Sequence, residues 1–335
     1  MTQRTTEPAA SEQTATTDRR RVWASVSSTT FWRHKAVWAV LIVVYLVGLI
    51  VSRNVVAPGQ FPDLLRQAAP LACLALGQTI LVIGRGLDLS VGGMVGLVNV
   101  VAAGNLAQQI GGWPAMLLCL GLGLLVGLIN GLGVVFGGVS PFIMTLGMSF
   151  FLSGAALVYT GGAPSGELPG AIRSLSEHSV VAIAVDVYIA AALFAAVAFI
   201  LRMTWQGRWI YARGINPEAA KIGGVSLSSV DILSYTFSGL CAALGGLFLA
   251  GNVGQGSLGA GEDLLLNSLA AVVVGGTTFV GGKGGVGGTL GGVLLFTLLT
   301  AVLTAAHLAA GGISIASGLV LLAAATLFRT SRRST

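Results

Sequence analysis

One compositional pattern constrains this chain more than any other: apolar runs of about 17 to 25 residues recur along it, separated by clusters of charge, proline and glycine. A helix rises about 1.5 Å per residue, so a run of that length matches a hydrocarbon core about 30 Å thick. The runs fall near 36–51, 64–83, 91–108, 114–136, 141–159, 180–201, 230–251, 264–280, 286–306 and 313–328. Only 9% of the residues are charged and the mean hydropathy is +0.87, whereas a soluble domain carries roughly a quarter charged residues. The expected fold is therefore an all-α polytopic membrane protein of about ten transmembrane helices, a single domain over residues 35–329. Residues 1–34 are rich in Thr, Ser and Gln and carry Arg19, Arg20 and Arg21, which predicts a disordered cytoplasmic tail; residues 330–335 predict a second, short one. The first apolar run begins only around Ala36, too late for a signal peptide, and reads as an uncleaved span.

Charge placement orients these spans. With both termini in the cytoplasm, every one of the 18 basic residues falls in a cytoplasmic segment except Arg53, Arg66 and Arg173, as the positive-inside rule requires. Ten spans divide into five plus five, and an odd repeat enters the membrane from the opposite side in its second copy. A short internal echo agrees with an inverted duplication: Gly86-Leu87-Asp88-Leu89 precedes the third span and Gly261-Glu262-Asp263-Leu264 precedes the eighth.

Several function classes drop out. Cys73, Cys119 and Cys241 lie inside apolar runs without metal-ligand spacing and read as small core residues. His34, His178 and His307 have no nucleophile or acid at a motif spacing, so no catalytic or metal-binding residue is assigned. The net charge of +6 comes without a basic helix face or interleaved aromatics, which argues against nucleic acid. Gly281-Gly282-Lys283-Gly284 lacks the hydroxyl residue after its lysine and the earlier glycine of a P-loop, so ATP is not bound there. Many glycines stand four apart, including Gly92 and Gly96, Gly127 and Gly131, and Gly287 and Gly291. Small residues at that spacing let helices approach closely in lipid.

Acids inside the membrane would mark ion coupling, and only Asp88 and Asp186 are placed to enter it; Asp186 is close enough to its span's outer end to reach interfacial water. Around Asp88, the sequence Arg85-Gly86-Leu87-Asp88-Leu89-Ser90 interrupts an apolar pattern with glycine, a charge pair and a hydroxyl. Two readings fit: a gating break in a discontinuous helix, or a cytoplasmic turn in which Asp88 or Ser90 caps the next helix. Gln78, Asn99, Asn130, Thr145, Ser149 and Asn267 supply uncharged donors and acceptors within spans, suited to a polyhydroxylated solute or to bonds between helices.

The cytoplasmic loop 202–229 contains a bounded helix. Asn216 can cap it, Pro217 suits its first position, Glu218 favours the positive end of its dipole, Ala219, Ala220 and Lys221 continue it, and Gly223 or Gly224 can end it. Two turns are not stable alone in water, so this helix is expected to dock on a partner.

Glu218-Ala219-Ala220, with Gly224 six residues after the glutamate, resembles the EAA loop of ATP-binding-cassette importer permeases. Three further segments, GLDLSVGGMVGL (86–97), SPFIMTLGMSFFLSGAALVYTGG (140–162) and SLAAVVVGGTTFVGGKGGVGGTLGGVL (268–294), resemble the ribose-type branch of monosaccharide permeases in content, order and spacing. The resemblance implies a multi-pass inner-membrane subunit that passes a ribose-like pentose or hexose inward and pairs with a second permease copy, identical or related. It also implies a cytoplasmic ATPase, which carries the ATP and Mg, and a periplasmic or lipid-anchored sugar-binding protein; this chain itself binds no cofactor. The sequence departs from the family at Arg85, where two glycines usually precede the Ile-Asp-Leu-Ser segment. Rival readings are an ion-coupled carrier, a membrane scaffold, and a permease for a nucleoside or a furanosyl signalling molecule.

Overall fold

The computed structural model describes residues 37–163 and 166–330; the tail 1–34 and residues 331–335 lie outside that range. The helices, in chain order, are α1 (Val37–Val51), α2 (Phe61–Ile83), α3 (Ser90–Ala103), α4 (Asn105–Ile110), α5 (Gly112–Val135), α6 (Pro141–Thr160) and α7 (Gly170–Glu177). A two-residue hairpin, β1 (Ser179–Val180) against β2 (Ile183–Ala184), follows. Then come α8 (Val185–Met203), α9 (Trp205–Ile215), α10 (Pro217–Ile222), α11 (Leu227–Val253), α12 (Glu262–Val274), α13 (Val286–Ala305) and α14 (Ala310–Thr330).

Among the described residues six helices are long and apolar enough to cross a membrane: α2 with the turn before it, α5, α6, α8, α11 and α13. Local sequence explains several of their ends. Ser140 accepts from the Ile143 amide and Pro141 opens α6, which Gly161 closes at φ +59°. Thr204 caps α9 through the Gly207 amide, and Gly254 ends α11 at φ +80°.

Other predicted boundaries are too generous. The run 91–108 is broken at Gly104 into α3 and α4. The run 264–280 is helical only to Val274, because Gly275 and Gly276 start a glycine-rich loop. The run 180–201 begins as a hairpin rather than a helix. At 14 and 13 residues, α3 and α12 extend only about 20 Å, well short of the hydrocarbon thickness.

The core is built around α2, α3 and α11. All of α3 is buried, as is α2 from Ala68 onward. By contrast α6 turns large apolar side chains such as Phe150, Phe151 and Val158 outward, which suits lipid. Cys73, Cys119 and Cys241 are free and buried. Asp186 does not reach interfacial water: it has no exposed surface, and its carboxylate accepts from Ser176 of α7 at 2.9 Å. The segment after α6 folds back as α7, which packs on α11.

Candidate functional site

Between α2 and α3 the chain reverses with Arg85 exposed and Gly86, Leu87 and Leu89 half-buried, while Asp88 and Ser90 turn into the protein. Asp88 is fully buried, and its carboxylate accepts from the Ser90 amide at 2.9 Å, the Ser90 hydroxyl at 2.5 Å and the Ser238 hydroxyl of α11 at 2.8 Å. It thus satisfies a free N–H at the start of α3, where the helix dipole also favours an acid. Gln78 of α2 donates to the Asp88 carbonyl, Asn130 of α5 donates to the Ser90 hydroxyl at 2.8 Å, and Tyr235 of α11 donates to the Leu87 carbonyl at 3.3 Å. Three helices, α2, α5 and α11, therefore hold the six-residue segment 85–90. Asp88→Ala is expected to destabilise the protein by about 3 kcal/mol, because it leaves buried hydroxyl and amide donors without an acceptor. Asp88→Asn keeps a side-chain acceptor and is expected to lose less than half of that, as read by thermal melting in detergent.

The start of α12 meets this region from another direction. A Cβ built on Gly261 would lie 2.0 Å from the Gly92 carbonyl oxygen, so α3 and the segment leading into α12 touch backbone to backbone. The side-chain oxygen of Asn99 accepts from the Ser257 amide at 2.6 Å and ties α3 to the segment leading into α12.

On the loop between α8 and α11, Asn216 accepts from the Ala219 amide at 3.1 Å, Pro217 opens α10 and Gly224 turns the chain at φ +83°. Ala220 is buried, while Glu218, Ala219 and Lys221 are exposed. Ile222 is 89% exposed and Ile215 65%. Neither isoleucine stands out in the sequence as a functional residue, although an apolar side chain closing a short polar helix is itself a signal of docking. Just before α10, Arg213 grips Asp231 of α11 with two bonds of 2.8 and 2.9 Å. Arg85 donates to Gly214 and Ile215 at the end of α9.

The neutral polar residues divide into two groups. Gln78, Asn99, Asn130 and Thr145 have no exposed surface and bond within the bundle, Thr145 to its own helix at Pro141. Ser149 is half-buried, and its carbonyl would meet a Cβ on Gly93 at 2.7 Å. Asn267 alone of the six lines a cleft of about 260 Å³ between α12, α13 and α14, together with Asp263, Thr300, Ser314 and Ser317. A second hollow, of about 300 Å³ between α1, α2 and α13, is walled by leucines and aromatics and offers a polar solute almost nothing.

Residues 61–328 match the family described as branched-chain amino acid transport system / permease component. The chain belongs to this permease family. Among its curated relatives, the permease is 32% identical to the ribose import permease protein RbsC of Escherichia coli K12 over 269 residues, 79% of this chain and 84% of that one. It is 33% identical to RbsC of Haemophilus influenzae over 290 residues, 85% and 90% of the two chains. It is 32% identical to the autoinducer 2 import system permease protein LsrC of Yersinia pseudotuberculosis over 287 residues, 86% and 82% of the two chains. No solved structure matches the permease.

Proposed function

We propose that this chain is the permease subunit of an ATP-binding-cassette importer that moves a ribose-like monosaccharide inward across a bacterial inner membrane. The observation that carries the reading is the combination of a sugar-permease relationship along most of the chain with α10, a capped helix that projects an exposed isoleucine on a long inter-span loop. ATP and Mg reside on a separate ATPase that receives α10, and a periplasmic or lipid-anchored binding protein delivers the solute. A second permease copy, identical or related, completes the pathway, and the cleft holding Asn267, Thr300 and Ser317 forms this copy's share of it. Hydroxyl and amide groups there suit a polyhydroxylated solute.

In this reading ten spans form two inverted halves with both termini in the cytoplasm. Helix pairing supports it: α11 packs on α5 and α3 as α2 packs on α13 and α12, and α3 packs on α6 as α12 packs on α14. The two short helices α3 and α12 are then equivalent elements, and their N-termini meet at Gly92 and Gly261, the arrangement expected when discontinuous helices enter from opposite faces.

Ribose and autoinducer 2 permeases are related to this chain at the same level, so a furanosyl signalling molecule is the second ligand class to test. Proteoliposomes holding the permease, its ATPase and its binding protein are expected to take up labelled sugar only with ATP, and to continue after proton and sodium gradients are collapsed. Gradient-driven uptake without the ATPase would instead establish a secondary carrier. Asp88, whose carboxylate already accepts three hydrogen bonds, would be its coupling residue.

A further inference from the structure

Arg85 sits at φ +64°, in the left-handed region that glycine adopts without cost and a long side chain does not. Its guanidinium supplies the compensation. Nε–H is shared between the Gly214 carbonyl at 2.8 Å and the Val280 carbonyl at 2.7 Å, and an Nη donates to the Ile215 carbonyl at 2.9 Å. Gly214 and Ile215 are the last two residues of α9, whose C-terminal carbonyls lack helical donors and attract a cation. The next residue, Asn216, caps α10. Val280 belongs to the loop joining α12 to α13. The backbones of these segments also touch directly. The Gly282 amide donates to the Ile83 carbonyl at 2.8 Å, and a Cβ on Gly214 would fall 1.9 Å from that same carbonyl oxygen. A Cβ on Gly281 would strike the Arg85 side chain at 2.3 Å.

We infer that Arg85 is a positioning residue that binds the α9–α10 junction, the α2–α3 reversal and the α12–α13 loop into one body, so that a displacement of α10 reaches both short helices together. The inference rests on the coupling role proposed for α10. Only Leu87 and Gly86 separate Arg85 from the carboxylate that caps α3, and the Val280 loop continues directly from the end of α12. Lysine cannot replace this fork, since its ammonium is a point donor on a flexible stem whereas guanidinium holds its donors in a fixed plane.

Arg85→Gly isolates this role from folding, because glycine accepts the backbone conformation and removes only the clamp. Hydrogen exchange on the purified permease is expected to quicken in residues 213–222 and 278–284 of the variant, with the melting temperature held near wild type, and Arg85→Lys is expected to restore little of the protection. In the assembled transporter, sugar moved per ATP hydrolysed is expected to fall about 10-fold, within the range by which residues on a coupling path alter coupling. A residue with a merely structural role would lower melting, hydrolysis and uptake in parallel, and that result overturns the inference. So does unchanged exchange at 278–284, or an unchanged ratio of sugar to ATP. Failure of the underlying reading looks different: wild-type permease would bind no ATPase, which ends the transmission role, while the exchange measurement still decides whether the clamp exists.

Discussion

Gly127→Ile is expected to yield little folded permease. Helices α5 and α11 meet along Gly123, Gly127 and Gly131 on one side and Ile232, Tyr235 and Gly239 on the other. A Cβ on Gly127 would lie 2.4 Å from the Tyr235 carbonyl oxygen and 2.8 Å from the Thr236 Cα, and one on Gly239 would lie 2.1 Å from the Gly123 carbonyl oxygen. These neighbours are backbone atoms of a rigid helix and cannot step aside as a side-chain tip can. In lipid, helices associate through close packing rather than through a hydrophobic force between them, so pushing α11 away removes the attraction that holds it. Because α11 also packs on α2, α3 and α7, the displacement spreads through the core. Overpacking commonly costs about 1–3 kcal/mol where side chains can yield, and this seam should exceed the upper figure. Gly121→Ile on the same helix is the control, since a Cβ there meets nothing within 4 Å. Thermal melting and size-exclusion profiles of the two variants should diverge sharply. A Gly127→Ile permease that melts with the wild type would disprove the seam.

The glycine pairs show what sequence can and cannot convey. Spacing by four identifies a helix face, and both Gly127 and Gly131 are indeed in close contact with α11. In the other two pairs only one member is in close contact: Gly92 meets Gly261 while a Cβ on Gly96 would meet nothing, and Gly291 meets Val37 while Gly287 is open. Crossing helices diverge away from their point of contact, and no local pattern records where that point lies. Apolar runs were similarly informative about place but not about helix ends, because the stretch that follows Val274 carries no charge until Lys283, so no change of charge marks where the helix stops. The caps of α6 and α10 were legible because their chemistry is local. The convergence of Gln78, Asn130, Tyr235 and Ser238 on the Asp88 segment was not, since those bonds join residues 10 to 150 apart in sequence. Arg85 stood out as a departure from a family pattern, but its three carbonyl partners lie 129 to 195 residues away and left no trace near it.

Ile222→Asp is expected to uncouple the permease from its ATPase while leaving the fold untouched. Six residues cannot hold a helix alone, yet α10 is fixed: Asn216 caps its start, Ala220 is buried beneath it, and the Val225 amide donates to the Ala220 carbonyl at 3.0 Å. With the underside anchored, Ile222 and the exposed Glu218, Ala219 and Lys221 face outward. An isoleucine left 89% exposed on a polar helix gains nothing from the permease and is available to fill a pocket on a partner, where a central apolar anchor is worth about 2 kcal/mol. Replacing it with aspartate should weaken ATPase binding by about 30-fold or more and suppress ATP-driven uptake accordingly, whereas Ile222→Leu should bind nearly as well. Melting of the permease alone should not shift, because the side chain makes almost no contact within it. Equal ATPase affinity for Ile222→Asp and wild type would exclude α10 as the docking element. The paired bonds from Arg213 to Asp231 fasten the end of α9 to α11, and α11 carries the Ser238 hydroxyl that holds Asp88. On the coupling role proposed for α10, a push on the loop is expected to reach the start of α3 through these bonds.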